Sequence, residues 1–131
     1  MIFVDTGAWF ARYVAADIDH RAATAWFAKV PDELVTTDYV IDELLTLLKV
    51  RGCANVAFVV GATLWSGVAC RVEHVAPSDL KAAWHVFSTY RDKQWSFTDC
   101  VSRVVMERLS VTVACAFDEH FRQFGTVHVV P

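Results

Sequence analysis

Short apolar runs alternate along this chain with longer segments in which apolar side chains recur at helical spacing. Short runs with β-branched and aromatic residues predict strands at residues 1–4, 34–37, 70–75, 110–116 and 127–130. The segments between them predict helices over residues 8–16, 20–30, 39–50, 53–65, 80–91 and 99–109, with a short helical turn at 118–121. Asp38 is a suitable N-cap for the helix that begins at Tyr39.

Strands that alternate with helices, and that are apolar along nearly their whole length, are typical of a parallel sheet covered on both faces. We therefore predict an α/β fold, a three-layer α/β/α sandwich around a mostly parallel five-stranded sheet. The length of 131 residues suits a single domain, residues 1–131, with one core. In such sheets the ligand crevice lies at the carboxyl ends of the strands, where the winding reverses.

The composition limits the ways in which this protein can bind a partner. With 55% hydrophobic residues, 21% charged residues and a net charge of −3, the chain is globular and does not grip nucleic acid by overall positive charge. A polyanionic substrate would have to be held by local arginines or bound cations. The four cysteines form no C-x-x-C pair, and no secretory signal is present, so we expect a reduced, cytoplasmic setting.

The segment from Gly52 to Cys70 carries no charged residue and is long enough to span a membrane. However, Asn55, Thr63 and Ser66 dilute its apolar character and fall on one narrow helical stripe. We expect a helix that is partly core and partly interface, and no membrane association.

Four acidic residues are placed where the carboxyl ends of the predicted strands meet. Asp5 ends the first strand, Asp118 lies just beyond the fourth, Glu43 is about one turn into the helix after the second, and Asp99 begins the helix that leads to the fourth. Each has a local alternative: the aspartates can cap helices, Ser96-x-x-Asp99 fits a capping box, and Glu43 can be a solvated helix residue. Convergence of all four on one edge is better explained by a functional cluster.

Carboxylates crowded within a few ångströms do not all stay ionised unless a cation compensates them. The ligands here would be oxygens only, which favours Mg²⁺ or Mn²⁺. Such an ion can lower the pKa of a water that attacks a phosphodiester and can neutralise charge on the phosphate oxygens. The sequence therefore predicts metal-assisted phosphoryl chemistry.

The chain also resembles the PIN-domain ribonucleases, and specifically the VapC-type toxins of VapBC toxin–antitoxin pairs. The resemblance is carried by four motifs in order: Ile2–Thr6, Thr37–Leu44, Ser96–Asp99 and Ala116–Phe121. Each motif is weak alone, but the ordered set is fairly specific and spans the chain. The pattern departs from the family at Ala116, where Thr or Ser is frequent, and at His120, where an acid is frequent.

This resemblance implies a metal-binding triad with a fourth, more variable acid, formed by Asp5, Glu43, Asp99 and Asp118. It also implies Mg²⁺ or Mn²⁺ as cofactor, an RNA substrate, a homodimer and a cognate VapB-type antitoxin. Thr6 and Thr98 would support the site by hydrogen bonding. The target RNA, the number of metal ions and the antitoxin's identity stay open.

Two apolar surfaces point to a partner independently of the resemblance. They are the aromatic face of the first two helices and the apolar helix at residues 53–65; the aromatic residues are Trp9, Phe10, Tyr13, Trp26 and Phe27. Both supply more apolar surface than a thin sheet can cover, so the sequence alone predicts some partner. The resemblance implies that these partners are a second copy of the chain and an antitoxin segment laid along this surface.

Several basic side chains and one histidine are further candidates for the site. Arg103, one turn after Asp99, can reach the site or pair with that acid, and His120 is the histidine nearest the acids. The other candidates for phosphate contact are Arg12, Lys49, Arg51, Arg91, Lys93 and Arg122.

Two rival functions are considered. A receiver-like or phosphatase-like domain is disfavoured, because no Asp-x-Asp follows the first strand and no lysine ends a late strand near the site. A catalytically degenerate PIN-like domain that binds RNA or protein without cleavage remains the alternative.

Overall fold

The computed structural model describes all residues from Met1 to Pro131. The strands are β1 (Ile2–Val4), β2 (Leu34–Thr37), β3 (Arg71–Glu73), β4 (Val113–Cys115) and β5 (His128–Val130). The helices are α1 (Thr6–Tyr13), α2 (His20–Phe27), α3 (Asp38–Val50), α4 (Ala54–Trp65), α5 (Pro77–Thr89) and α6 (Phe97–Arg108). A short 3-10 helix, Arg122–Phe124, precedes β5.

The five strands form one sheet in the order β3-β2-β1-β4-β5, and every neighbouring pair is parallel. From β1 the chain winds outward through β2 and β3, then returns to the other side of β1 for β4 and β5. The winding therefore reverses between β1 and β4, which is where a parallel sheet opens a crevice. Val4 pairs with Cys115, so Asp5 and Ala116 leave the sheet side by side. The predicted fold is confirmed.

The helices pack in two groups that meet at α3 and α6. Helix α1 contacts α2 and α3, α3 contacts α4, and α5 contacts α6. Right-handed crossovers between parallel strands place α1–α4 on one face of the sheet and α5–α6 on the other. The core between the layers is apolar, and its largest fully buried side chains include Trp9, Phe3, Phe121, Ile41, Leu44 and Leu48.

The aromatic face of the first two helices is used inside the molecule. Trp9 is fully buried and stacks on Phe27 with ring centres 5.3 Å apart, and it also stacks on Tyr13. Since α2 covers these rings, this face does not supply the surplus apolar surface expected from the sequence. Helix α4 does supply it, because Phe58 and Val59 are 65% and 64% exposed. At 12 residues α4 is a surface helix, and none of the helices has the length and apolar character needed to cross a membrane.

Two local predictions are wrong. The N-cap of α3 is Thr37, whose hydroxyl accepts a hydrogen bond from the Val40 amide at 3.0 Å, because Thr37 keeps the extended backbone of β2. Asp38 lies in the first helical turn instead. The segment 118–121 is a turn held by the Asp118 carboxylate, which accepts the His120 amide at 3.0 Å, and the 3-10 helix follows it.

Arg108, at the end of α6, ties this helix to α5 and β3. Its guanidinium donates to both carboxylate oxygens of the buried Asp79, at 2.8 and 2.9 Å, and to Glu73 at 2.9 Å. These hydrogen bonds lower the pKa of Asp79 and of Glu73. The clamp holds α6 in register with the sheet, and α6 carries Asp99.

We expect Arg108→Gln to lower the free energy of unfolding by about 1–3 kcal/mol, because the buried Asp79 carboxylate loses its partner. Because the pKa of Asp79 is lowered in the folded state, its contribution to stability is present at neutral pH and is lost as the pH falls below the ordinary value for an aspartate. Urea unfolding at neutral and acid pH measures both effects, and the difference between wild type and variant should shrink in acid. A difference that stays constant with pH would contradict this account.

Candidate active site

Asp5 is the most buried acid at the carboxyl edge of the sheet. It follows β1, its amide donates to the Cys115 carbonyl at 3.1 Å, and the residue is 3% exposed. Although Asp5 occupies the N-cap position of α1, its side chain makes no capping hydrogen bond, and its Oδ1 is buried without a partner. Burial raises the pKa of Asp5 well above its usual value, and the Asp99, Asp118 and Glu43 carboxylates raise it further. Asp5 is therefore surrounded by like charge.

Asp99 combines a structural role with a place in the cluster. Its Oδ2 accepts the Ser96 amide at 2.9 Å while the Asp99 amide donates to the Ser96 hydroxyl at 3.0 Å, which is the capping box read from the sequence. The His120 ring nitrogen also contacts Oδ2, at 2.7 Å. Both hydrogen bonds to the carboxylate, from the Ser96 amide and from His120, therefore run to Oδ2, and Oδ1 has none. Burial raises the pKa of Asp99, although the Ser96 amide and His120 oppose the effect. Capping and cluster membership are thus compatible.

Glu43 and Asp118 complete the cluster from more open positions. Glu43 is half-buried on α3 and shares a surface groove with Thr98 at the start of α6. Asp118 is exposed in the turn after β4, and the same turn directs Glu119 to solvent. Because both carboxylates raise the pKa of Asp5, as Asp99 does, the other three predicted acids all lie within electrostatic reach of Asp5.

His120 contacts the cluster directly, which the sequence signalled weakly. Its Nδ1 donates to Asp99 Oδ2 at 2.7 Å and lies 3.9 Å from Asp118 Oδ2. The sequence signal was the two-residue spacing after Asp118, which is the spacing of an Asx turn. His120 therefore holds the same Asp99 oxygen that the Ser96 amide holds in the helix cap.

The other side chains predicted to assist the site do not contact the acids as His120 does. Arg103 does not pair with Asp99; it pairs with Glu107 at 3.3 Å and lies over aromatic rings. Arg51 lines a groove that it shares with Asp118, so it is the basic candidate beside the cluster. The Thr6 hydroxyl is buried without a hydrogen-bond partner, so it does not bind a carboxylate, and its expected hydrogen bond to a metal-bound water stays a prediction.

The chemistry of this cluster fits a hard divalent cation. All four donors are carboxylates, and the buried Oδ1 of Asp5 lacks the partner that a charged oxygen requires. In the arrangement described, no three acidic, histidine or cysteine side chains converge closely enough to complete a metal-binding set by themselves. The fit to a cation consequently rests on two features, the oxygen donors of the carboxylates and the unpartnered Oδ1 of Asp5.

The chain is an α/β protein with a parallel sheet, and its carboxylates cluster at the carboxyl ends of β1 and β4, where the winding of the sheet reverses. Comparison with known proteins agrees, since residues 2–127 match the family model described as PIN domain. The chain is 36% identical over 131 residues to the 23S rRNA-specific endonuclease VapC20 of Mycobacterium tuberculosis, covering 100% of this chain and 99% of that protein. It is 29% identical over 123 residues to a VapC ribonuclease of Archaeoglobus fulgidus, covering 90% of this chain and 77% of the relative.

A solved structure gives the same result in three dimensions. The crystal structure of M. tuberculosis VapC20, titled a sarcin–ricin loop cleaving toxin, superposes with a TM-score of 0.93 at 33% identity, over 100% of both chains. The chain belongs to the PIN-domain family, and within it to the VapC-type ribonuclease toxins.

We expect Asp5→Asn to stabilise the protein in EDTA, because it removes a buried charge that its neighbours repel. Since the pKa of Asp5 is raised in the folded state, ionisation costs stability as the pH rises from the ordinary aspartate value toward and past the raised one. The gain in Tm from the substitution should therefore be larger at pH 7 than at pH 5.

Thermal unfolding with Mn²⁺ or Mg²⁺ supplies the complementary measurement. The cation should raise the Tm of the wild type and have little effect on Asp5→Asn. An Asp5→Asn protein less stable than wild type in EDTA at pH 7 would refute the account of Asp5 as a repelled charge.

Proposed function

We propose that this toxin hydrolyses RNA phosphodiesters at the cluster formed by Asp5, Glu43, Asp99 and Asp118, with Mg²⁺ or Mn²⁺ as cofactor. The observation that carries the proposal is the unpartnered, buried Oδ1 of Asp5 among three further carboxylates. An anionic site cannot approach a polyanionic substrate unless a cation lies between them.

The four acids divide into two pairs with different roles in this mechanism. Asp5 and Asp99, held rigidly by β1 and by the capping box, would ligate the ion, while the more open Glu43 and Asp118 would complete its ligand set and orient the attacking water. When bound, the divalent ion supplies an acidified water and neutralises charge on the phosphate oxygens. His120 keeps Asp99 Oδ2 engaged, so that Oδ1 stays directed away from the helix cap.

We further propose ribosomal RNA as the substrate, with the sarcin–ricin loop of 23S rRNA as the first sequence to examine. This rests on the full-length similarity to VapC20, whose name and title state that target. Such a substrate places the protein's action in the cytoplasm. The alternative, a degenerate PIN-like domain that binds without cutting, predicts no metal-dependent fragments.

A homodimer through α4 is the assembly we propose. Phe58 and Val59 are largely exposed, and Trp65 is 49% exposed. The segment 52–70 carries no charge, so two copies can meet there without like-charge repulsion or desolvation of an ion. The second proposed partner is a cognate VapB-type antitoxin, as membership among the VapC-type toxins implies.

The central prediction concerns RNA cleavage. Purified protein with Mg²⁺ or Mn²⁺ should cut 23S rRNA into discrete fragments, and EDTA should abolish the reaction. Asp99→Asn should reduce the rate by about 10³-fold or more, because it removes a ligand charge from the site. Primer extension across the sarcin–ricin loop locates the cut.

A matched substitution controls for loss of charge alone. Asp32 lies just before β2, at the opposite edge of the sheet, and is exposed. Asp32→Asn should cleave like the wild type. Failure of folded wild-type protein to cleave any cellular RNA, with either ion, would favour the non-cleaving alternative.

The dimer is tested by mass in solution. Size exclusion with light scattering should give twice the 14.7 kDa of one chain for the wild type and a single-chain mass for Phe58→Asp. The control is Ile18→Asp, because Ile18 is 94% exposed and belongs to the loop between α1 and α2. A wild-type protein of single-chain mass at high concentration would remove the proposed interface.

A further inference from the structure

A groove of about 450 Å³ lies between the end of α5 and the start of α6, outside the acidic cluster. Four of its lining side chains are aromatic, and its only charged ones are cationic. They are Trp84, Phe87, Tyr90 and Trp95, with Arg91 and Lys93. The groove is large enough for a nucleotide-sized ligand.

Trp84 and Tyr90 are the accessible rings of this groove, and Tyr90 is held in place by its neighbours. Trp84 is 63% exposed and Tyr90 is 39% exposed. The Tyr90 ring lies 5.1 Å from the ring of the buried Trp95, whose Nε1 donates to Gln123 Oε1 at 3.0 Å. The Arg103 guanidinium lies 5.1 Å from the centre of the Tyr90 ring. A fixed ring loses little conformational freedom when a planar ligand stacks on it.

The charge of the groove differs from the charge of the whole chain. The protein has 15 acidic and 12 basic residues, yet Arg91 and Lys93 line the groove without a carboxylate beside them in the lining. The nearest acid in sequence, Asp92, approaches Lys93 at 3.8 Å, but its side chain is 77% exposed and stays outside the lining. Cations next to stacking surfaces complement a single-stranded nucleic acid.

The groove adjoins the acidic cluster through α6. Trp95 immediately precedes Ser96, the residue that caps the helix, and Cys100 lines the groove directly after Asp99. The hydrogen bond from Trp95 to Gln123 links the groove wall to the segment that carries His120. The groove and the cluster are therefore built on consecutive residues at the start of α6.

We propose that this groove binds an unpaired base of the RNA substrate, stacked on Trp84 or Tyr90, with Arg91 and Lys93 contacting the adjoining phosphates. The proposal rests on the proposed function and adds a second point of attachment beside the cutting site. It explains how a protein of negative net charge retains RNA. Because every base has an aromatic face, the groove selects unpaired and looped RNA over duplex without reading a particular base.

Binding can be measured separately from cleavage. Fluorescence anisotropy of a short, fluorescein-labelled, single-stranded RNA of mixed sequence is recorded in EDTA with otherwise wild-type protein. Trp84→Ala and Tyr90→Ala should each weaken binding by about tenfold, while Trp84→Phe and Tyr90→Phe should stay close to wild type. Arg91→Gln should weaken binding and reduce its dependence on salt concentration by about one ion equivalent.

His85→Ala is the matched control, because His85 is an exposed aromatic residue on α5 that does not line the groove. It should bind RNA like the wild type. Cross-linking with 5-iodouridine RNA followed by mass spectrometry should modify the peptide that contains Trp84 or Tyr90.

The outcomes separate this proposal from the proposed function. If the wild type cleaves and binds RNA but both alanine variants bind equally well, the groove is not an RNA site and the nuclease assignment stands. If Trp84→Ala instead dissociates an oligomer and leaves RNA affinity unchanged, the groove is a protein interface and our inference is overturned. If the wild type neither binds nor cleaves RNA, both proposals fall.

Discussion

Repulsion between buried carboxylates is the constraint around which this molecule is arranged. Asp5 and Asp99 are 3% and 5% exposed, and the pKa of each is raised chiefly by burial. The fold does not relieve this repulsion with a neighbouring arginine, since Arg103 is turned toward Glu107 and a set of aromatic rings. Among the basic residues, His120 alone hydrogen-bonds to the cluster, while Arg51 shares a groove with Asp118 without forming an ion pair. This unneutralised charge is what supports the proposal of a cation at this edge.

The topology of the sheet brings these carboxylates close together in spite of their repulsion. The parallel pairing of β1 with β4 brings Asp5 and the turn after Cys115 together, although more than a hundred residues separate them in sequence. The Ser96–Asp99 capping box fixes the third component by making one carboxylate oxygen part of the helix end. The capping hydrogen bonds position Asp99, and the order of the strands positions Asp5. Neither would create the cluster alone.

Much of this arrangement could be predicted from the sequence, because strand ends and helix starts leave local signals. The apolar runs identified every strand, and four acids at their carboxyl ends identified the edge. The strand predicted at residues 70–75 spans only Arg71–Glu73, because only these three residues pair with β2. The sequence could not decide whether Thr37 or Asp38 caps α3, because both residue types are good N-caps and the choice depends on which of them keeps the extended backbone of β2.

Contacts between distant side chains were beyond the reach of the sequence. The interaction of His120 with Asp99 depends on the direction of a turn, and the stacking of Arg103 depends on three rings from separate segments. The covering of Trp9 by α2 likewise depends on tertiary packing, which is why that aromatic face looked like free surface. Periodicity assigns a residue to a face, but the partner of that face is decided by the rest of the fold.

The absence of a capping hydrogen bond from the Asp5 side chain has an evolutionary consequence. Folding makes little use of this carboxylate, so the toxic activity and the architecture are separable at one position. Every aspartate codon becomes an asparagine codon by a single base change. If Asp5 holds the proposed cation, a harmless and well-folded form of the toxin, with its partner surfaces intact, is one mutation away in any cell under selection to survive it.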